Sequence, residues 1–289
     1  MRTWFYALLA AAASVLASCA PVAQGEPALW RVADADSEIW LFGSVHVLPR
    51  GVRWLSPRIL TALENSDEFI TETDVDAADF SALAQLHGTL PEGETLSSRL
   101  SVEDHARLAR AADETGLDLA ALDRLRPWFA ALQITYAYAS QRGHSTADGV
   151  ETVLGARARA KNLRLGFLES PEQQIRVLAD LAPDVEAHFL SVTLLQISEG
   201  GRALSDLDGP WARGDLETLS RELDRQWADA GPEIHNALII DRNRAWAEAI
   251  EQRLAGSGSA FITVGAAHLV GDQNVVQLLR ERGFAVEGP

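Results

Sequence analysis

Glu38-Ile39-Trp40-Leu41-Phe42-Gly43-Ser44-Val45-His46 is the stretch on which the reading of this chain turns. Its short apolar and aromatic run predicts a buried strand over residues 39–42. The run breaks at Gly43, where a missing Cβ lets the backbone turn sharply, and a histidine follows three residues later. The pattern returns far along the chain as Phe261-Ile262-Thr263-Val264 and then Gly265-Ala266-Ala267-His268. With 21 glycines and 7 histidines in 289 residues, chance gives about 0.5 matches to G-x-x-H. The two matches here each follow a four-residue apolar run directly, which sets His46 and His268 apart. The motif alone leaves an equal reading in which both are structural histidines in strand-to-helix turns.

The chain opens with Met1-Arg2-Thr3 and an apolar run from Trp4 to Ala17. That is the pattern of a secretory signal peptide, too short for a stop-transfer span. It ends in Leu16-Ala17-Ser18-Cys19, which resembles the bacterial lipobox. The resemblance implies that residues 1–18 are removed and that Cys19 is acylated as the mature N-terminus. Ala20 follows, with no Asp to signal inner-membrane retention, so the expected place is the outer membrane, facing the periplasm. Cys19 is the only cysteine, so no disulfide can form within the chain, even in an oxidising compartment. Residues 19–27 read as the lipidated N-terminus and a Pro/Gly linker, and residues 28–289 as one large domain. The 41 acidic against 25 basic residues give a net charge of −16. Such a surface repels phosphate backbones and argues against nucleic-acid binding.

Strands are expected at residues 29–32, 39–42, 68–72, 164–168, 261–264 and 284–287. Helical signals fill the intervals. Ser101 begins a capping box for a helix stopping near Gly116, and Pro127 suits the first turn of another ending near Gly143. Asp148 to Glu151 and Ser170 to Gln173 each have capping-box spacing. Asp272 precedes a helix ending at Gly283, and residues 232–254 read as one continuous helix. The pattern is α/β, with strands clustered at both ends of the chain and a large helical middle section at residues 80–160 and 172–255.

In open α/β sheets, ligands bind outside the carboxyl ends of the strands. His46, Glu72, Glu169 and His268 all stand at or just beyond such ends. Two imidazoles and two carboxylates on one face can hold a divalent metal or run acid–base chemistry. Glu169 has a rival structural role beside the capping box at Ser170, and a strand-end Glu72 is often simply solvated. On a helical wheel for residues 232–254, Ile234, Leu238, Ile239, Ala245, Trp246, Ala249 and Ile250 share one face, with Arg242 near its middle. A guanidinium there needs a carboxylate partner or a wet cavity, unless it snorkels to the surface. Asp241 and Asn243 fall on the margins. His87, His105, His144, His188 and His235 lack such contexts, and no H-E-x-x-H, G-x-S-x-G, Walker or dinucleotide motif occurs.

Taken together, these residues resemble the TraB/GumN family (TraB/PrgY/GumN/Tiki-like). The resemblance rests on the two G-x-x-H turns, the Glu72 strand, Gly166-Phe167-Leu168-Glu169 with Glu172-Gln173, Trp211-Ala212-Arg213-Gly214-Asp215, Asp241-Arg242-Asn243 and Val264 to Gly271. It covers about residues 28–287 and implies a layered sheet shared with erythromycin-esterase-like (EreA) and ChaN-like proteins. For the Tiki branch it implies divalent-metal-dependent peptide cleavage, with Mn, Co or Zn as the ion. His46, Glu72 and His268 then form the catalytic or metal set, Glu169 is a general base or a supporting group, and Arg242 and Asn243 support them. The expected function is a periplasm-facing lipoprotein hydrolase acting on a peptide or protein substrate. A metal-free esterase-like hydrolase with a histidine base, and a non-catalytic peptide- or glycan-binding lipoprotein, stay open as alternatives, as does the choice of Glu72 or Glu169 for base.

Overall fold

The computed structural model describes residues 26–289, so the expected signal peptide, Cys19 and most of the linker lie outside the described residues. The strands are β1 (Leu29–Ala33), β2 (Ser37–Ser44), β3 (Leu48–Pro49), β4 (Glu68–Thr71), β5 (His144–Ser145), β6 (Arg164–Phe167), β7 (Gly258–Gly265) and β8 (Val286–Glu287). Six of them make one sheet in the order β6-β4-β7-β2-β1-β8, and β3 pairs with β5 apart from it. β2, β7, β4 and β6 run parallel, while β1 is antiparallel to both β2 and β8. The architecture is mixed α/β. All six expected strands are present, and the short β3–β5 pair was not anticipated.

The central strands are continuous apolar runs because both sheet faces are covered. Ile39, Leu41, Ile262 and Val264 pack on one face with Trp246, Ile250 and Leu279. Phe42, Phe69 and Phe261 pack on the other with Ile59, Leu63, Leu154 and Trp211. Each such buried side chain contributes about 1.5–3 kcal/mol of transfer free energy. A separate helical layer joins Val102–Thr115, Pro127–Gln141 and Pro183–Ser198 around Leu108, Ile134, Tyr138 and Leu190. Ser101 caps the first of these helices, Gly116 ends it at φ 71°, and the capping box at Ser170 forms in full.

Four expectations need correction. The strand does not break at Gly43, since β2 continues through Ser44 with Gly43 opposite Val264 and Ser44 opposite Gly265. The glycine serves close approach instead, because a Cβ there would lie 3.0 Å from the Ala266 backbone in the second turn. The Asp148 capping box does not form, and Gly149 stands at the N-cap of the Val150–Ala160 helix. The helix expected to follow Asp272 and end at Gly283 spans Val275–Glu281, with Asn274 as its N-cap and Arg282 as its C-cap. Residues 232–254 are not one regular helix, because a π-helical segment, Asn236–Ile240, separates Pro232–His235 from Asp241–Leu254. Wider π turns rotate everything beyond them. Asn243 and Ala247 therefore face the core, while Ala245 is exposed.

Candidate active site

Register places the two G-x-x-H turns side by side, since β2 and β7 are adjacent, parallel and end together. Glu72 directly follows β4, and Glu169 lies just beyond β6, so all four expected strand-end residues reach one end of the sheet. The Glu169 amide donates to the Glu72 carbonyl at 2.8 Å, which ties those two strand ends together.

Arg242 is the hub of a buried cluster. Its Nη2 donates to Glu72 Oε2 at 2.7 Å, its Nε to Glu169 Oε1 at 2.8 Å, and Nη2 also to Gln174 Oε1 at 3.0 Å. The guanidinium lies over the Trp246 ring, 4.4 Å from its centroid. Burial works against its charge, but Glu72 and Glu169 more than offset that. Burial likewise opposes ionisation of Glu72, yet Arg242, His268, His46 and the Gly265 amide hold it down at about 2. Fork-shaped pairing to two carboxylates is what the planar guanidinium does best, and the snorkelling alternative for Arg242 is ruled out.

The two histidines sit in opposite surroundings. His268 is buried and packs on Trp246 with ring centroids 4.3 Å apart. Asn243 Nδ2 donates to the Gln273 carbonyl at 3.0 Å, which turns its Oδ1 toward His268 Nδ1 at 2.7 Å. That network assigns the proton to Nδ1 and leaves the Nε2 lone pair facing the cluster. Gln273 itself has a left-handed φ of 53°, uncommon for a residue other than glycine. Burial, with the neighbouring Arg242 and His46 charges, pushes His268 down to about 3 against the pull of Glu72.

His46 is 55% exposed in its side chain, and its Nδ1 lies 2.7 Å from Glu151 Oε1. Glu151 raises it to about 9 against the opposing effect of desolvation. Ser44 Oγ donates to the same Glu151 oxygen at 2.5 Å. Glu151 was legible only as a capping residue. Its real partners sit over a hundred positions earlier, so no local signal marks it. Tyr136, half exposed on the Pro127–Gln141 helix, has its phenol proton held on by burial and by Glu151 and Glu72, which puts it within electrostatic reach of the site. Trp246 was placed on the apolar face by periodicity, but its contacts with Arg242 and His268 were not foreseen.

The expected metal set of His46, Glu72 and His268 does not assemble. Among the described residues, no three His, Cys, Asp or Glu side chains are grouped to hold a metal ion. Glu72 is committed to Arg242 and the Gly265 amide, while the Glu151 contact takes only Nδ1 of His46 and leaves its Nε2 free of it. His268 Nε2 is 3.9 Å from Glu72 Oε1 but only 3.4 Å from Arg242 Nη1. A permanent cation at that distance opposes a second one, so the donor set as arranged does not fit a divalent metal.

The model of the TraB/PrgY/gumN family matches residues 28–288. The chain belongs to this family. It is 27% identical over 240 residues to the uncharacterized protein YbaP of Escherichia coli strain K12, covering 83% of this chain and 87% of YbaP. It is 26% identical over 305 residues to the Metalloprotease TIKI2 of Danio rerio, covering 86% of this chain and 58% of that protein. No solved structure matches the chain.

Proposed function

We propose that this TraB/PrgY/gumN member is a hydrolase in which the two turn histidines divide the proton transfers. The observation that carries this reading is their opposite placement. His46 is exposed, paired with Glu151 at 2.7 Å and raised to about 9. His268 is buried, neutral and fixed in one tautomer by Asn243. Titratable pairs driven apart by their environments mark acid and base. The His46 imidazolium stabilises the oxyanion and returns a proton to the leaving group. His268 Nε2 accepts the proton of the attacking water once Arg242 Nη1, 3.4 Å away, releases it, and Arg242 keeps Glu72 ionised beside it. Fold kinship with erythromycin-esterase-like and ChaN-like proteins belongs to the same reading, as do the Cys19 anchor and an outer-membrane place facing the periplasm.

A second reading, a divalent-metal-dependent peptidase, is favoured by the similarity to TIKI2. It too requires Arg242 Nη1 to withdraw from His268 Nε2. One experiment separates the two: incubate the purified protein with a peptide library and model esters, with and without chelator. Turnover that survives chelation and vanishes in His46→Gln supports the proton-transfer reading. Turnover lost on chelation and restored by Mn, Co or Zn supports the metal reading. Binding of peptide or glycan without turnover would leave the non-catalytic lipoprotein.

A further inference from the structure

The helix Arg202–Arg213 lies outside the cluster of ionisable groups, yet it touches both segments that carry the His46–Glu151 pair. Trp211 donates its indole N–H to the Gly43 carbonyl at 2.8 Å in a buried contact, three residues before His46. The Trp211 ring is wedged against Trp54 and Phe42, at centroid distances of 5.8 and 6.4 Å, so the donor is held in place. Three residues earlier on the same helix, Asp208 meets His144 Nε2 at 2.8 Å, with side-chain exposures of only 13% and 9%. Residues three apart share a helix face.

His144 begins the segment that leads to Glu151. That segment runs back-to-back with the His46 turn. β5 pairs with β3, placing His144 opposite Pro49 and Ser145 opposite Leu48. The Val150 amide donates to the Val45 carbonyl at 3.1 Å, and a Cβ at Gly149 would sit 2.1 Å from the His46 carbonyl oxygen. His144 Nδ1 is buried without a hydrogen-bond partner among the described residues, so the polar hold on this ring comes through Asp208. A buried hydrogen bond is weak evidence for stability, and this one joins two segments of the chain.

We propose that Trp211 and Asp208 are positioning residues, one face of one helix clamping the His46 turn and the Glu151 segment so that the two side chains meet. This rests on the reading of His46 and Glu151 as a working pair. Neither residue touches a reacting group, and both act through the backbone they hold. Removing the indole donor frees the Gly43 carbonyl and lets the turn relax. Removing the Asp208 acceptor frees the β5 strand at the other edge.

The test follows the His46–Glu151 contact itself. The full-length protein, in detergent and carrying 15N in its histidine rings, gives a ring N–H signal for His46 that His46→Gln identifies by its loss. Glu151→Gln supplies the reference spectrum for a broken contact. Trp211→Phe keeps the aromatic packing without the donor, and Asp208→Leu keeps the branched shape without an acceptor for His144 Nε2. Each is expected to move the His46 signal toward the Glu151→Gln position while the melting transition stays cooperative. On any substrate turned over, each should lose roughly 10²-fold in kcat, as displacement by about an ångström does. If Glu151→Gln moves the signal and neither clamp variant does, the clamp is overturned and the pair stands. If Glu151→Gln leaves the signal unmoved, the pair falls and the clamp with it. Should Trp211→Phe not fold, the similarly shaped Asp208→Leu decides alone.

Discussion

Arg242 and Glu72 meet through Nη2 and Oε2 at 2.7 Å, with side-chain exposures of 9% and 11%. Glu169, at 10%, receives the Nε of the same guanidinium at 2.8 Å. Removing one member of such a buried set strands the rest. Arg242→Met is therefore expected to cost about 3–5 kcal/mol in urea unfolding. Because two carboxylates share one cation, Glu72→Gln or Glu169→Gln alone should recover only part of that loss, and the triple variant most of it. Arg242→Met unfolding at the wild-type urea midpoint would mean the pairing contributes nothing.

Gly149 tests the back-to-back packing that brings Glu151 to His46. Its missing Cβ leaves room for the His46 carbonyl, which would otherwise lie 2.1 Å away. Gly149→Ala should push the two segments apart, cost about 1–3 kcal/mol by overpacking and cut turnover roughly 10²-fold. Unchanged stability and unchanged kcat together would remove this contact from the argument.

The pH dependence of stability has two limbs of opposite origin. His268 is depressed to about 3 from 6.5, so its contribution is present above pH 6.5 and is lost as pH falls through 3. Glu72, depressed to about 2 from 4.5, acts in the same direction below pH 4.5. His46 is raised to about 9 from 6.5, so its contribution is full below pH 6.5 and is lost as pH rises through 9. Stability should peak near neutrality. His46→Gln should flatten the alkaline limb, and His268→Gln the acid limb between pH 6.5 and 3. Unfolding curves measured across pH that keep the wild-type shape in both variants would contradict these environments.

The anchor makes an independent prediction. Cys19→Ser should leave the domain folded but move it from the membrane fraction to the soluble one, since stable anchoring takes two or more acyl chains. A variant that still pellets with membranes is not held by that cysteine.

Much of this architecture could be read from the chain because parallel strands buried on both faces write themselves as unbroken apolar runs. Ile39 to Phe42 and Phe261 to Val264 are such runs, and the strand-end rule then pointed to His46, Glu72, Glu169 and His268. What escaped depends on relations with no local trace. Glu151 looks like any first-turn carboxylate until Ser44 and His46 fold against it. The π turn at Asn236–Ile240 shifts the buried face by one position, which moved Asn243 from margin to core. The metal set rested on ligand types, which can be counted in a sequence, whereas the approach of Arg242 Nη1 to within 3.4 Å of His268 Nε2 cannot.

The most direct measurement is the protonation state of the two turn histidines near pH 7.5, from ring 15N shifts in the unliganded protein. The expected result is His46 as an imidazolium and His268 as a neutral ring protonated at Nδ1. Finding His46 neutral, or His268 charged, would contradict the division of proton transfers between them.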